Sequence, residues 1–252
     1  MIKKILIGFG ALIVVLIIIG FFSIQAAQNE PPPQIVSNFT DLNKIEKISR
    51  YRSCVGHTTV PQDGREMKRN MKHYFWVKPQ YNKGQTVEIY APYDGYISVL
   101  RDEPGLNLEG EIWIRSKSNL VFLPPIGVWQ FSVQHIDVRD DLKMGSEVKA
   151  GELIGYAALS ESRGNSFDIV FGKMSIIPKQ IDNWTAPFTD LDSVFNRMSN
   201  KVLEEYQKKG IPSKEELITS KEERDQKPCT YKDNGPYFLN QEDQSNWLVL
   251  PN

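Results

Sequence analysis

The chain has 252 residues, a formal net charge of −1 and 24% charged residues, so it lacks the broad basic field of a nucleic-acid binder, and that class of partner is excluded. A 40% hydrophobic content suffices for a packed core, and the length allows one membrane segment with one fair-sized domain behind it.

The first element is a membrane span. Ile5 to Ile24 carries no charge and would extend about 30 Å as a helix, the thickness of the hydrocarbon layer. Lys3 and Lys4 precede it and no basic residue follows before Lys44, which predicts a cytoplasmic N-terminus and an extracytoplasmic remainder at the cell membrane, crossed once. A cleaved export signal is the rival reading, but the region around Ala26 and Ala27 lacks a good small-x-small site.

Gln28 to Asn43 contains Pro31, Pro32 and Pro33 and reads as a stiff spacer. A short helix is expected over Asp41 to Tyr51, because Leu42, Ile45 and Ile48 are three apart. From Thr86 to Phe171 the pattern becomes one of short apolar or alternating runs. Strands are predicted over Val87–Tyr90, Tyr96–Leu100, Glu111–Arg115, Trp129–His135, Leu153–Ala157 and Phe167–Phe171. With no helix-length segment between them, they imply a mainly β fold, a flattened antiparallel barrel-sandwich. After Pro178 the period turns helical, with Leu191, Val194, Phe195, Met198, Val202 and Tyr206 on one stripe, Thr189 as N-cap and Gly210 as stop. Trp247 to Leu250 is expected to pack back on the domain. The predicted organisation is an anchor over 1–27, a spacer over 28–51, a β core over 52–177 and a helical extension over 178–252.

Cys54 and Cys229, the only cysteines, either close a disulfide, as an exported domain permits, or remain two thiols.

Two stretches have similar form: Gly84-x-x-Val87 followed by Ala91-Pro92-x-Asp94-Gly95-x-Ile97, and Gly145-x-x-Val148-Lys149-Ala150-Gly151-x-x-Ile154-Gly155. Each reads as a hairpin corner in which Gly and Asp shape the turn and Val or Ile points inward. The pair resembles the duplicated hybrid motif of lysostaphin or LytM-type zinc endopeptidases, over roughly Arg52 to Lys173. The resemblance implies a zinc site built from a histidine, an aspartate four residues later and the second histidine of an H-x-H pair, with further catalytic histidines beside it. His57 matches the first ligand, but Pro61 stands where the aspartate belongs. The H-x-H positions are Ser166 and Asp168. His135 matches a catalytic histidine on the strand before the second corner.

The matched positions therefore offer two metal ligands, His57 and Asp168, where a catalytic zinc site needs about three. A rearranged site drawing on His57, His73 or His135 with Asp63 or Asp168 is the alternative. For His135 a second reading is open, because Trp129, Phe131, Val133 and His135 alternate on one strand face and place the ring at the end of an apolar row. The expectation is a peptidase-like domain, membrane-tethered and degenerate, that does not cut. It would bind or scaffold an envelope peptide, glycan or protein, with no cofactor, and residues Tyr74 to Tyr81 would form one rim of its groove. The alternative is a zinc metallo-endopeptidase acting on envelope peptides.

Overall fold

A computed structural model describes residues 14–15, 18–22, 25–26, 29–101, 110–117, 127–160 and 164–251. The expected span over 5–24 lies mostly outside the described residues, and no described helix is long and apolar enough to cross a membrane.

The fold is mainly β. In chain order the strands are β1 (Ile45–Ser49), β2 (His73–Val77), β3 (Glu88–Tyr90), β4 (Gly95–Arg101), β5 (Glu111–Ser116), β6 (Trp129–Gln134), β7 (Ile136–Val138), β8 (Glu147–Val148), β9 (Leu153–Ala157), β10 (Ser166–Ile181), β11 (Trp184–Asp192) and β12 (Trp247–Val249). Nine form one sheet in the order β12-β1-β2-β10-β6-β5-β4-β8, with β11 paired to β10, and β3-β9-β7 form a second. The pairings are antiparallel, and the larger sheet runs from β12 to β8 without closing. The sandwich is thus open rather than a closed barrel.

All six strands predicted between Thr86 and Phe171 are present. The two similar corners meet: Gly95 pairs with Val148, Gly151 N–H donates to Ala91 O at 2.8 Å, and Asp94 Oδ1 accepts from Ala150 N–H at 2.9 Å. Gly95 is required there, because a Cβ would lie 2.3 Å from Arg115 O.

Three local expectations differ from the structure. The region read as a helix over Asp41 to Tyr51 is a 3-10 turn, Leu42–Lys44, followed by β1. A bulge between Ile45 and Lys47 lets Ile45 and Ile48 both face inward, which imitates a helical spacing of three. The stripe from Leu191 to Tyr206 is divided among the end of β11, a 3-10 turn at Val194–Asn196 and helix α1, Asn200–Lys208. Thr189 belongs to β11, and Ser199 caps α1 by accepting from Val202 N–H. A second helix, α2, spans Lys221–Gln226, and strands β10 and β11 run through the region from 178 to 192. The strip from Trp247 does pack back on the domain as expected, as β12 paired with β1.

Alternation gives the large sheet two unlike faces. On one, Phe75 pairs with Phe167, and Ile169, Val133 and Ile112 follow in register. Phe39 crosses this layer with its ring 5.3 Å from Phe75 and 5.2 Å from Phe131. On the other face the register brings together Tyr74, Asp168, Gln134 and Glu111.

Candidate functional site

The polar face carries a connected row of side chains. Asp168, the third residue of β10, is wholly buried. Lys72, one residue before β2, donates from Nζ to Asp168 Oδ2 at 2.8 Å and to Gln134 Oε1. Gln134 Nε2 donates to Glu111 Oε1 at 2.7 Å, as does Trp113 Nε1 at 2.7 Å. Arg101 Nη1 donates to Glu111 Oε2 at 3.0 Å. At the other end His135 Nε2 stands 3.2 Å from Asp168 Oδ1. The resulting chain is Arg101, Glu111, Gln134, Lys72, Asp168, His135.

Above it opens a cavity of about 250 Å³. Lys72, Gln134 and Glu111 form its floor, Trp113 and Phe188 one wall, and His57 with Trp184 another. Arg101 stands at the mouth, its side chain 64% exposed. Phe188 comes from β11, which folds back across the polar face and stacks on Trp113 with ring centroids 5.9 Å apart.

His57 is held from several sides. Gly56 before it has φ +70°, and a Cβ there would lie 2.4 Å from Tyr74 Oη, so only glycine fits. The His57 ring lies 4.7 Å from that of Trp184 and 5.8 Å from that of Tyr237. Its Nδ1 is 2.8 Å from Thr58 O. A carbonyl can only accept, so in the neutral ring Nδ1 carries the proton and Nε2 is the acceptor. Burial, and then the nearby Lys72 ammonium, push His57 down to about 4. The C-terminal segment packs along this stretch: Thr58 N–H donates to Pro236 O at 2.9 Å and Phe238 N–H to Gly56 O at 3.0 Å. A disulfide between Cys54 and Cys229 ties the two together, which decides the alternative left by the sequence.

Burial alone would raise the Asp168 carboxyl, but the Lys72 ammonium and then His135 outweigh it and hold the group below the ordinary carboxylate range. A carboxylate this deep needs a cation beside it. Lys72 supplies one.

The residues singled out from sequence therefore divide. His57, Asp168 and His135 gather around Lys72, with Lys72, Asp168 and His135 all acting electrostatically on His57. His135 sits on Asp168, at the end of the row but turned out of strand alternation by its left-handed backbone, φ +63°. His73 lies on the opposite face, where Nδ1 contacts Ser49 O and Nε2 contacts Ser193 Oγ, each at 2.8 Å. Burial pushes it down to about 4. Asp63 accepts from Arg65 Nε at 2.7 Å and, with Pro61, borders a different depression. Neither His73 nor Asp63 joins the cleft. The Tyr74 to Tyr81 stretch does not line it, and the rim comes instead from β10 and β11.

Zinc does not fit this arrangement. Lys72 already occupies the Asp168 carboxylate, and among the described residues no three His, Cys, Asp or Glu side chains are placed to hold a metal ion.

No protein-family model matches the chain, and no curated protein matches it. Solved structures similar to it include lysostaphin, at 19% identity over 50% of this chain and 45% of that one, with a TM-score of 0.33. A zinc-containing peptidase from Vibrio cholerae is similar at 19% identity over 56% of this chain and 37% of that one, TM-score 0.36. The SpoIIQ–SpoIIIAH pore-forming complex is similar at 10% identity over 69% of this chain and 98% of that one, TM-score 0.37. The chain spans less than half the length of the first two, and at these TM-scores the likeness carries no functional conclusion.

Proposed function

We propose that the chain is a single-pass membrane protein whose extracytoplasmic part, a peptidase-like β core over 52–177 with an extension over 178–252, binds an envelope peptide, glycan or protein without cutting it. The observation that carries this reading is the ion pair between Lys72 and Asp168, 5% and 0% exposed, at 2.8 Å on the cleft floor. Hydrolysis of a peptide bond needs an activated water, and a metal does this by lowering the water's pKa from an open coordination position. Here the carboxylate that would serve as ligand is neutralised by an ammonium. The His57 ring is packed between two aromatic side chains.

The uncharged run from Ile5 to Ile24, with Lys3 and Lys4 before it, supports the anchor and its orientation. The Cys54–Cys229 disulfide supports an oxidising compartment. The competing reading is a zinc metallo-endopeptidase using His57, Asp168 and His135, which would require Lys72 to leave Asp168.

Incubating the purified full-length chain with isolated envelope material separates the two. Co-sedimentation without new peptide fragments by mass spectrometry is expected, whereas fragments that vanish on adding a chelator would overturn the binding reading.

A further inference from the structure

Much of the hydrogen-bonding capacity left over in the cleft is donor capacity. Glu111 Oε1 accepts from Trp113 and Gln134, and Oε2 from Arg101. Asp168 is wholly buried between Lys72 and His135. Asp168 Oδ1 lies 3.2 Å from His135 Nε2 and makes no hydrogen bond among the described residues, but it is buried like the rest of the carboxylate, and both oxygens of Glu111 already accept. Lys72 has three N–H donors, of which Asp168 and Gln134 take two. Arg101 has five, and Glu111 takes one from Nη1. Trp184 lines the cleft, and its indole N–H is enclosed with no acceptor among the described residues. A buried N–H without a partner is costly, which makes it a group that a ligand oxygen would satisfy. His57 contributes an acceptor at the cleft wall, its Nε2.

We propose that the cleft recognises the terminal carboxylate of a peptide chain, its oxygens accepting from Arg101, Lys72 and the Trp184 indole while the last amide N–H donates to His57 Nε2. This rests on the binding reading above and names its ligand chemistry. An amide or ester terminus offers fewer acceptor sites and carries no charge to strengthen the bonds from Arg101 and Lys72. Lys72 and Arg101 are balanced by Asp168 and Glu111, so the preference comes from the aim of the donors rather than from a net field. It is consequently moderate in size. The cavity of about 250 Å³ takes a few residues' worth of chain end, and Trp113 and Phe188 supply apolar walls beside it.

The test compares N-acetyl-triglycine with its C-terminal amide, two probes alike except at the terminus. Binding is followed on the full-length chain by tryptophan fluorescence and by displacement calorimetry. The acid is expected to bind at least tenfold more tightly, equivalent to about 1.4 kcal/mol, as charge-assisted hydrogen bonds provide. Arg101→Gln, at an exposed position that leaves the buried pair intact, should bring the acid down to the level of the amide. Trp184→Phe, which keeps the wall and removes the N–H, should weaken the acid selectively. Equal binding of acid and amide would overturn the carboxylate assignment while leaving a peptide-binding cleft in place. Failure of both probes to bind at 10 mM, about the weakest range such contacts support, or acid binding unaffected by Arg101→Gln, would also overturn it. Chelator-sensitive cleavage of either probe would instead refute the non-catalytic reading itself.

Discussion

Replacing Lys72 by methionine removes one charge and keeps most of the side-chain volume. It strands Asp168, a carboxylate with no exposure, beside His135 as its remaining ionic partner. Removing one member of a buried pair typically costs about 3–5 kcal/mol, because the other charge stays desolvated. For a domain of this size each kcal/mol shifts the melting temperature by about 2–4 °C, so the variant should melt roughly 6–20 °C lower at neutral pH. The pH dependence distinguishes lost charge from lost packing. In the wild type Asp168 is held below its ordinary value, so its contribution is present above about pH 3.9 and lost as pH falls below that. In Lys72→Met burial dominates and raises the carboxyl, which reverses the sign: the variant gains stability relative to wild type as pH is lowered from neutrality. Replacing both partners, Lys72→Met with Asp168→Leu, should cost less than Lys72→Met alone. The assay is thermal unfolding between pH 3.5 and 7.5. A melting point for Lys72→Met within about 2 °C of wild type at neutral pH, or a deficit that does not shrink on acidification, would refute the ion-pair account.

The Cys54–Cys229 bridge closes a sequence separation of 175 residues, and replacing both cysteines by serine should cost about 2–5 kcal/mol; an unchanged unfolding midpoint would contradict this. The His57 imidazole should titrate near 4 and stay neutral through physiological pH, so a midpoint above 6 by NMR would mean that the ring is neither buried nor close to Lys72. A C-terminal tag should be protease-accessible on intact cells with the chain in the membrane fraction; release of a mature form beginning near Gln28 would remove the anchor.

The β core was legible because its signal is local. The six predicted strands are alternating or short apolar runs in a stretch broken by Gly, Pro, Asn and Asp, and the two corners announced themselves by repeating. The errors fell where two periods coincide. The bulge in β1 gives Ile45 and Ile48 a helical spacing, and the 3-10 turn at Val194–Asn196 extends the stripe of α1 by the same coincidence. Asp168, His57 and His135 were found through the motif. Lys72, which decides what those three can do, was not. In Met71-Lys72-His73 it looks like one more solvated lysine. Its burial follows from the pairing of Asp168 with Tyr74 and Gln134, a register between strands far apart in sequence that no local pattern records. Trp184 and Phe188 were missed for a related reason: β11 lies beyond the segment in which the resemblance runs, and only its return over β5 brings those rings to the cleft.

The most direct test of the central claim is zinc titration of the purified full-length chain by calorimetry, paired with elemental analysis of the protein as isolated. The ion-paired floor predicts less than stoichiometric zinc as isolated and an affinity no better than micromolar, unchanged by His57→Ala. Stoichiometric zinc that is lost on His57→Ala or Asp168→Asn, together with chelator-sensitive cleavage of a peptide, would contradict it.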